Sequence, residues 1–526
     1  MPTFWRIGVK RASPYPGPLL THSWGDSYRL PRSPEGRAAG GAVRHRTFRL
    51  VGVVATAVAL LASGVTVGIR AAVAPPAELP PTPDLPCGPG DTPETIQGRV
   101  PLADYNSGRA ALGYTCNASQ VSHVGSSGRG GGSSGGYRVF RYVDGAGHAC
   151  AYYDTTLLFP ANAYAAGTGL TGVWALDMAD PAHPVHTATL STPAMQSPHE
   201  SLSINVKRGL LGAVMGNPLY HPGQFDLYDL TGDCRYPALK ATLPMGVLGH
   251  EGSFAPDGNT YYASSLYGHT LTAIDVSNPL LPTILWTSLN WNVHGLNVSD
   301  DGKTLYFADL ARNGFDNVAL AGTDSRGLTI LDVSQIQSRA ANPQVTVVSH
   351  LTWPEVSTPQ TDLPVTIAGH PYLVEVDEFA DADNVGAARL IDVADVKAPK
   401  VVSNMRLAVN NPSHRNDGSQ QNDPNATSGL QGYAGHYCGV PQQVDPGIVA
   451  CSFILSGLRV FDIRDPLNPK EIAYFNQPST TTSAAQGPQG AYAMSQPAFD
   501  TARRQIWYSD GNSGFYVVQL NNGVWP

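Results

Sequence analysis

Four histidines occupy equivalent places in the chain. His199 opens "HESLSINV", His250 opens "HEGSFAPD", His294 opens "HGLNVSDD" and His436 opens "HYCGVPQQ". Each begins a short, largely apolar strand. Three further segments carry Tyr114, Asp362 and Gln496 at that position, in "GYTCNASQVSH", "DLPVTIAG" and "QPAFDTAR". Imidazole is the commonest side-chain ligand for transition metals, and three or four converging imidazoles suit copper or zinc, with iron less favoured. Glu200 and Glu251 directly follow two of the histidines. Side chains alternate along a strand, so these glutamates are expected to orient imidazoles of a neighbouring unit rather than to bind the same ion. Tyr114 and Asp362 would face the same mouth. There Tyr114 could serve as an acid or radical-stabilising group, or only in packing. A duplicated structural histidine that binds water would leave the same pattern, so the metal reading and the structural one both stand at this point.

The strands that position these residues belong to a repeat. Its clearest mark is an apolar run ending in Asp and a turn, as in "GVWALDMADPAHP", "LTAIDVSNPLLP", "LTILDVSQIQ" and "LRVFDIRDPLNP". Asp177, Asp229, Asp275, Asp332, Asp392 and Asp462 close these copies and should accept backbone N–H bonds in the turns that follow. A seventh copy, "GFYVVQL", lacks the Asp. Between copies lie two more strands, so each unit holds about four, the size of a propeller blade. The fold class expected is all-β, a seven-bladed β-propeller over 98–526. Its last blade would be closed by an N-terminal strand, with "GRVPLADYN" (98–106) as the candidate. Closure removes two open sheet edges.

Composition agrees. The 526 residues include 55 Gly and 43 Pro, only 14 % are charged, and the net charge is −8. That mixture suits short strands and turns and offers no basic surface for nucleic acid. Residues 1–49 read as a leader with a basic region at Arg37, Arg44, Arg46 and Arg49. Residues 50–74 carry the apolar run Leu50–Ile69, a signal peptide or membrane anchor, and 75–97 a Pro-rich linker. Six cysteines after an export signal favour disulfides. The strand register suggests Cys116–Cys150 and Cys438–Cys451, leaving Cys87 for Cys234. The acidic stretch "YLVEVDEFADAD" (Glu375, Asp377, Glu378, Asp381, Asp383) reads as a solvated turn rather than a calcium site.

The repeat copies resemble the LVIVD repeat family of secreted β-propellers over roughly 98–520. That resemblance implies the fold and export but no single activity. The histidine-lined channel is loosely similar to the copper-dependent propellers of the selenium-binding protein and methanethiol oxidase family, and to zinc-holding peptide-amidating lyases, without their full motifs. Two functions remain open from the sequence. One is an extracytoplasmic, monomeric, metal-dependent enzyme on a small molecule in the channel, with His199, His250, His294 and His436 as ligands. The other is a secreted scaffold whose loops bind a protein, glycan or cell-wall component.

Overall fold

The computed structural model describes residues 78–526 apart from 126–134, 156–171, 217–222, 246–248, 266–268, 312–324, 382–383, 416–422, 424–430 and 479–490. All of the described residues belong to one unit, 76–526. The leader, the apolar run 50–69 and most of the Gly/Ser-rich and Asn-rich stretches lie outside them. No helix among the described residues is long and apolar enough to cross a membrane.

Seven antiparallel sheets form a seven-bladed β-propeller. In chain order the blades span 139–190, 203–244, 252–288, 293–351, 358–405, 435–476 and 498–520. The first strands of neighbouring blades meet at the centre, where the parallel bridges Glu200↔Glu251 and Arg138↔Gln496 join one blade to another. The apolar faces pack between blades. Val374 and Val376 of blade five, for example, lie with Val449 and Phe461 of blade six. All six repeat aspartates do what their turns require: each accepts the backbone N–H two residues on, at 2.8–3.0 Å.

The ring is closed by an N-terminal strand, but not by 98–106. Ala118–Val124 pairs with Gly514–Leu520 as the outer strand of blade seven, and Leu102–Ser107 is a short helix. Tyr114–Cys116 separately adds a fifth strand to blade six, against Lys470–Asn476. The segment "GYTCNASQVSH" is therefore two outer strands, with Asn117 in left-handed backbone between them (φ 51°). Read as one inner strand, it shifted blade one by a unit. The linker is not free of the propeller either. Asp84 bridges Glu471, and Glu94 pairs with the buried Arg459 at 2.6 Å.

The disulfides follow from this shift. Cys438–Cys451 forms as expected across neighbouring strands. Cys116, on the rim of blade six, pairs with Cys87, while Cys150 pairs with Cys234 from the adjoining blade. Cys150–Cys234 spans 84 residues, so the chain-entropy relation puts its contribution at about 4.5 kcal/mol. Non-reducing peptide mapping should recover Cys150–Cys234 and no Cys116–Cys150 peptide. A C150S/C234S variant should show a correspondingly lower unfolding midpoint.

Candidate metal centre

The histidines converge on one carboxylate. Glu200 Oε2 lies 2.9 Å from His250 Nε2, 3.7 Å from His294 Nε2 and 3.8 Å from His199 Nδ1, while its Oε1 is 3.2 Å from His436 Nε2. The His199 and His250 rings lie tilted against each other at 4.3 Å between centroids, and those of His250 and His294 at 5.0 Å. All five residues are buried. Burial alone would raise the Glu200 pKa; the surrounding histidines, His250 and His199 first, hold it well below the usual carboxylate range.

Glu200 was expected to point away from the ion. It does not, because His199 adopts left-handed backbone (φ 52°) and the first strand of this blade starts only at Ser203. Strict alternation is broken at the residue before Glu200. Close approach of Gly216 permits this backbone, since a Cβ there would stand 2.3 Å from the His199 Cβ.

Two of the imidazoles are fixed by backbone carbonyls. His294 Nδ1 lies 2.7 Å from the Pro359 carbonyl, and His436 Nδ1 lies 2.5 Å from that of Met494. A carbonyl only accepts, so both Nδ1 atoms carry a proton, and Nε2 is the atom of each ring left to face the carboxylates. This is how metal-binding histidines are held. The His294 carbonyl is itself tied by Ser264 Oγ at 2.9 Å, and Ser452 and Ser509 make matching ties to Ser495 and Gly136 in the next blades.

A second carboxylate completes the site. Glu378, at the end of the second strand of blade five, reaches His294 Nε2 at 3.6 Å and His436 Nε2 at 3.2 Å. Glu375, Asp377 and Glu378 of the acidic stretch are not in a solvated turn: Glu375 and Asp377 are fully buried beside Arg389, and Asp383 lies outside the described residues. Burial works against a charged His436, yet the hydrogen bonds to Glu200 and Glu378 outweigh it and raise its pKa to about 9. His199, by contrast, is pushed down to about 3, mainly by burial, and His294 is also lowered by burial.

The set fits a transition metal. Two donors at about 2.1 Å from one ion, with angles of about 90° to 109°, stand about 3.0 to 3.4 Å apart. The nitrogen–oxygen separations here bracket that range. His250 Nε2, though 2.9 Å from Glu200, is out of line for a hydrogen bond, and its Nδ1 is also unpartnered and buried. Among the described residues, His199, Glu200 and His250 form one group whose ligand atoms all lie within 4.8 Å of one another.

Beneath the histidines a polar layer crosses the axis. Arg138 of blade one pairs with Glu251 of blade three, lies over the Tyr437 ring at 4.4 Å and donates to Gln496 at 2.5 Å; Gln360 donates to Tyr437 at 2.8 Å. Burial raises the Glu251 carboxyl to about 8 against the pull of Arg138. Glu251 thus belongs to this layer. Gly295 leaves room for it: a Cβ there would stand 2.0 Å from the Gln360 carbonyl oxygen and 2.1 Å from Glu251 Oε2. Gly295→Ala should cost about 1–3 kcal/mol in denaturant unfolding through overpacking.

The other two residues expected at the mouth are elsewhere. Tyr114 is on the outer rim, its hydroxyl 2.5 Å from Asp104, and Tyr137 stands in the ring instead, against His199 at 4.5 Å. Asp362 lies on an inner strand but sits opposite Glu375 in register, in the buried charged cluster around Arg389. The strand there begins at Thr358 and carries a bulge between Pro359 and Thr361, so the residues level with the histidines are Pro359 and Gln360. Sequence reasoning missed Glu378, Tyr137 and Arg138. A signal for the last two existed, because "GYRVF" matches the His-Glu strand starts once blade one is set in register.

The strand ends joined on the histidine face are bridged by the longest connections, 155–172, 310–326, 406–434 and 477–497. No family model and no curated protein matches the chain. Some solved structures are similar to it in part. The periplasmic gluconolactonase PpgL of Pseudomonas aeruginosa is 13 % identical, with a TM-score of 0.45 over 74 % of this chain and 93 % of that one. Kuenenia stuttgartiensis hydrazine synthase is 12 % identical, with a TM-score of 0.45 over 74 % and 97 %. The Cps50 (Swd1) propeller domain of Myceliophteria thermophila is 10 % identical, with a TM-score of 0.43 over 73 % and 97 %. Likeness at this level is one of architecture alone.

Proposed function

We propose that this chain is an exported propeller of the LVIVD repeat type that holds a transition metal on its axis and acts on a small organic molecule there. The observation that carries the reading is the convergence of His199, His250, His294 and His436 on Glu200, with two Nδ1–H groups held by backbone carbonyls. Three disulfides suit an oxidising compartment outside the cytoplasm. Copper or zinc fits the donor set before iron. A bound ion there would supply Lewis acidity, or dioxygen chemistry if it is copper.

The chain's own residues supply the rest. His294 and His436 are oriented by the Pro359 and Met494 carbonyls, and Glu200 and Glu378 bring the charge that a cation needs. The layer of Arg138, Glu251, Gln360 and Tyr437 fills the axis below, so a substrate reaches the histidines from the opposite side. Glu251, raised by burial to about 8 against the pull of Arg138, lies in that layer.

Metal analysis of the purified full chain, before and after addition of copper or zinc, tests this reading. Stoichiometric uptake supports it. No retained metal and no uptake on addition would leave the propeller as a scaffold that binds through its loops.

A further inference from the structure

We infer that the centre takes two metal ions bridged by Glu200, an inference that rests on the metal reading above. Six side chains donate here, more than the four histidines alone, and they fall into two sets. His294 and His436 face the second carboxylate, Glu378, through its Oε1 and Oε2 at 3.6 and 3.2 Å. His199 and His250 face Glu200 Oε2 and form with it a compact group of their own. Glu200 reaches both sets, offering Oε2 to His250 and Oε1 to His436, while His294 stands between the two carboxylates, 3.6 Å from Glu378 Oε1 and 3.7 Å from Glu200 Oε2.

A carboxylate whose two oxygens address different histidines is the element that bridges paired ions, which stand about 3.5–4 Å apart in two-metal sites. In this division one ion has four protein ligands: His294, His436, Glu378 and Glu200. The other has three: His199, His250 and Glu200. Three protein ligands leave a position open, the arrangement of catalytic metal sites, whereas four close it. The open ion is thus the one beside Tyr137, whose ring lies against His199. Two carboxylates offset one dication only, so the pair requires an anion between the ions. A hydroxide or an oxygen of an anionic substrate, such as a carboxylate or phosphate ester, supplies it.

Metal-stripped full-length protein titrated with cobalt(II), desalted and counted by mass spectrometry, tests the inference. Two equivalents per chain are expected, with a spin-coupled magnetic signature from the bridge. H250A should fall to one uncoupled equivalent. One equivalent in the unaltered chain, or two that persist in H250A, would overturn the two-ion centre and leave the single-metal reading standing. No uptake at all would overturn both. The count on the unaltered chain needs no variant to fold.

Discussion

Replacing His294 with alanine is expected to weaken metal binding by more than about 100-fold, because loss of even an outer hydrogen-bond partner typically costs about 10- to 100-fold. His294 is held at both ring nitrogens and at its backbone: its Nδ1 is bonded to Pro359, its carbonyl to Ser264, and its Nε2 lies between Glu200 and Glu378. Removing it takes away a donor and leaves two carboxylates facing the gap. The effect can be read without an assay. A ligand present at about 100 times its Kd stabilises the folded chain by about 2.7 kcal/mol, so copper or zinc should raise the unfolding midpoint of the unaltered protein. H294A should lose most of that rise. H183A, which changes an exposed histidine paired only with Asp180, should keep it. An equal rise in H294A would place the metal elsewhere.

A large loss of stability is expected from Arg389→Met. Arg389 is wholly buried, pairs with Glu375 and with Asp377 at 3.0 Å, and lies over the Trp353 ring at 4.3 Å. Burial works against its charge, and Asp377 and Glu375 more than restore it. Without the guanidinium, Glu375, Asp377 and Asp362 remain in the interior without the charge that pairs with them directly. Breaking a buried pair from one side costs about 3–5 kcal/mol. The pH dependence follows from the carboxyls. Burial raises Asp362 and Glu375 well above their ordinary values, so the folded state binds more protons than the unfolded one. Their ionisation destabilises at high pH, and that penalty fades as pH falls toward the unfolded values. The deficit of R389M should therefore narrow from mildly alkaline to mildly acidic pH. Denaturant midpoints across that range would show it, and a deficit that widens in acid would contradict the account.

What was legible in the sequence was what duplication had copied. The six Asp turns rest on a bond to the residue two positions on, and local chemistry of that kind repeats wherever the sequence does. The histidine ring was legible for the same reason, since a copied strand start returns its side chain to the axis. Pairings with no local mark were not legible. Ala118–Val124 meets Gly514–Leu520 across almost the whole chain, and nothing near Tyr114 distinguishes an outer strand from an inner one. That single shift misplaced Tyr114 and exchanged the partners of four cysteines. Glu378 was hidden differently. It lies on a second strand, where no histidine alignment looks, and enters the site because its nine-residue strand His370–Glu378 runs to the axis end of blade five. Glu200 was set aside by an alternation rule that holds in strands and fails at the left-handed His199.

The most direct test of the central claim is diffraction from crystals of the metal-loaded full chain, collected on either side of the absorption edge of the added ion. Anomalous density within the cluster of His199, His250, His294, His436 and Glu200, with the His294 and His436 Nδ1 atoms still on their backbone carbonyls, is the predicted result. No peak there, with the imidazoles bonded directly to Glu200 and Glu378 in loaded crystals, would contradict it.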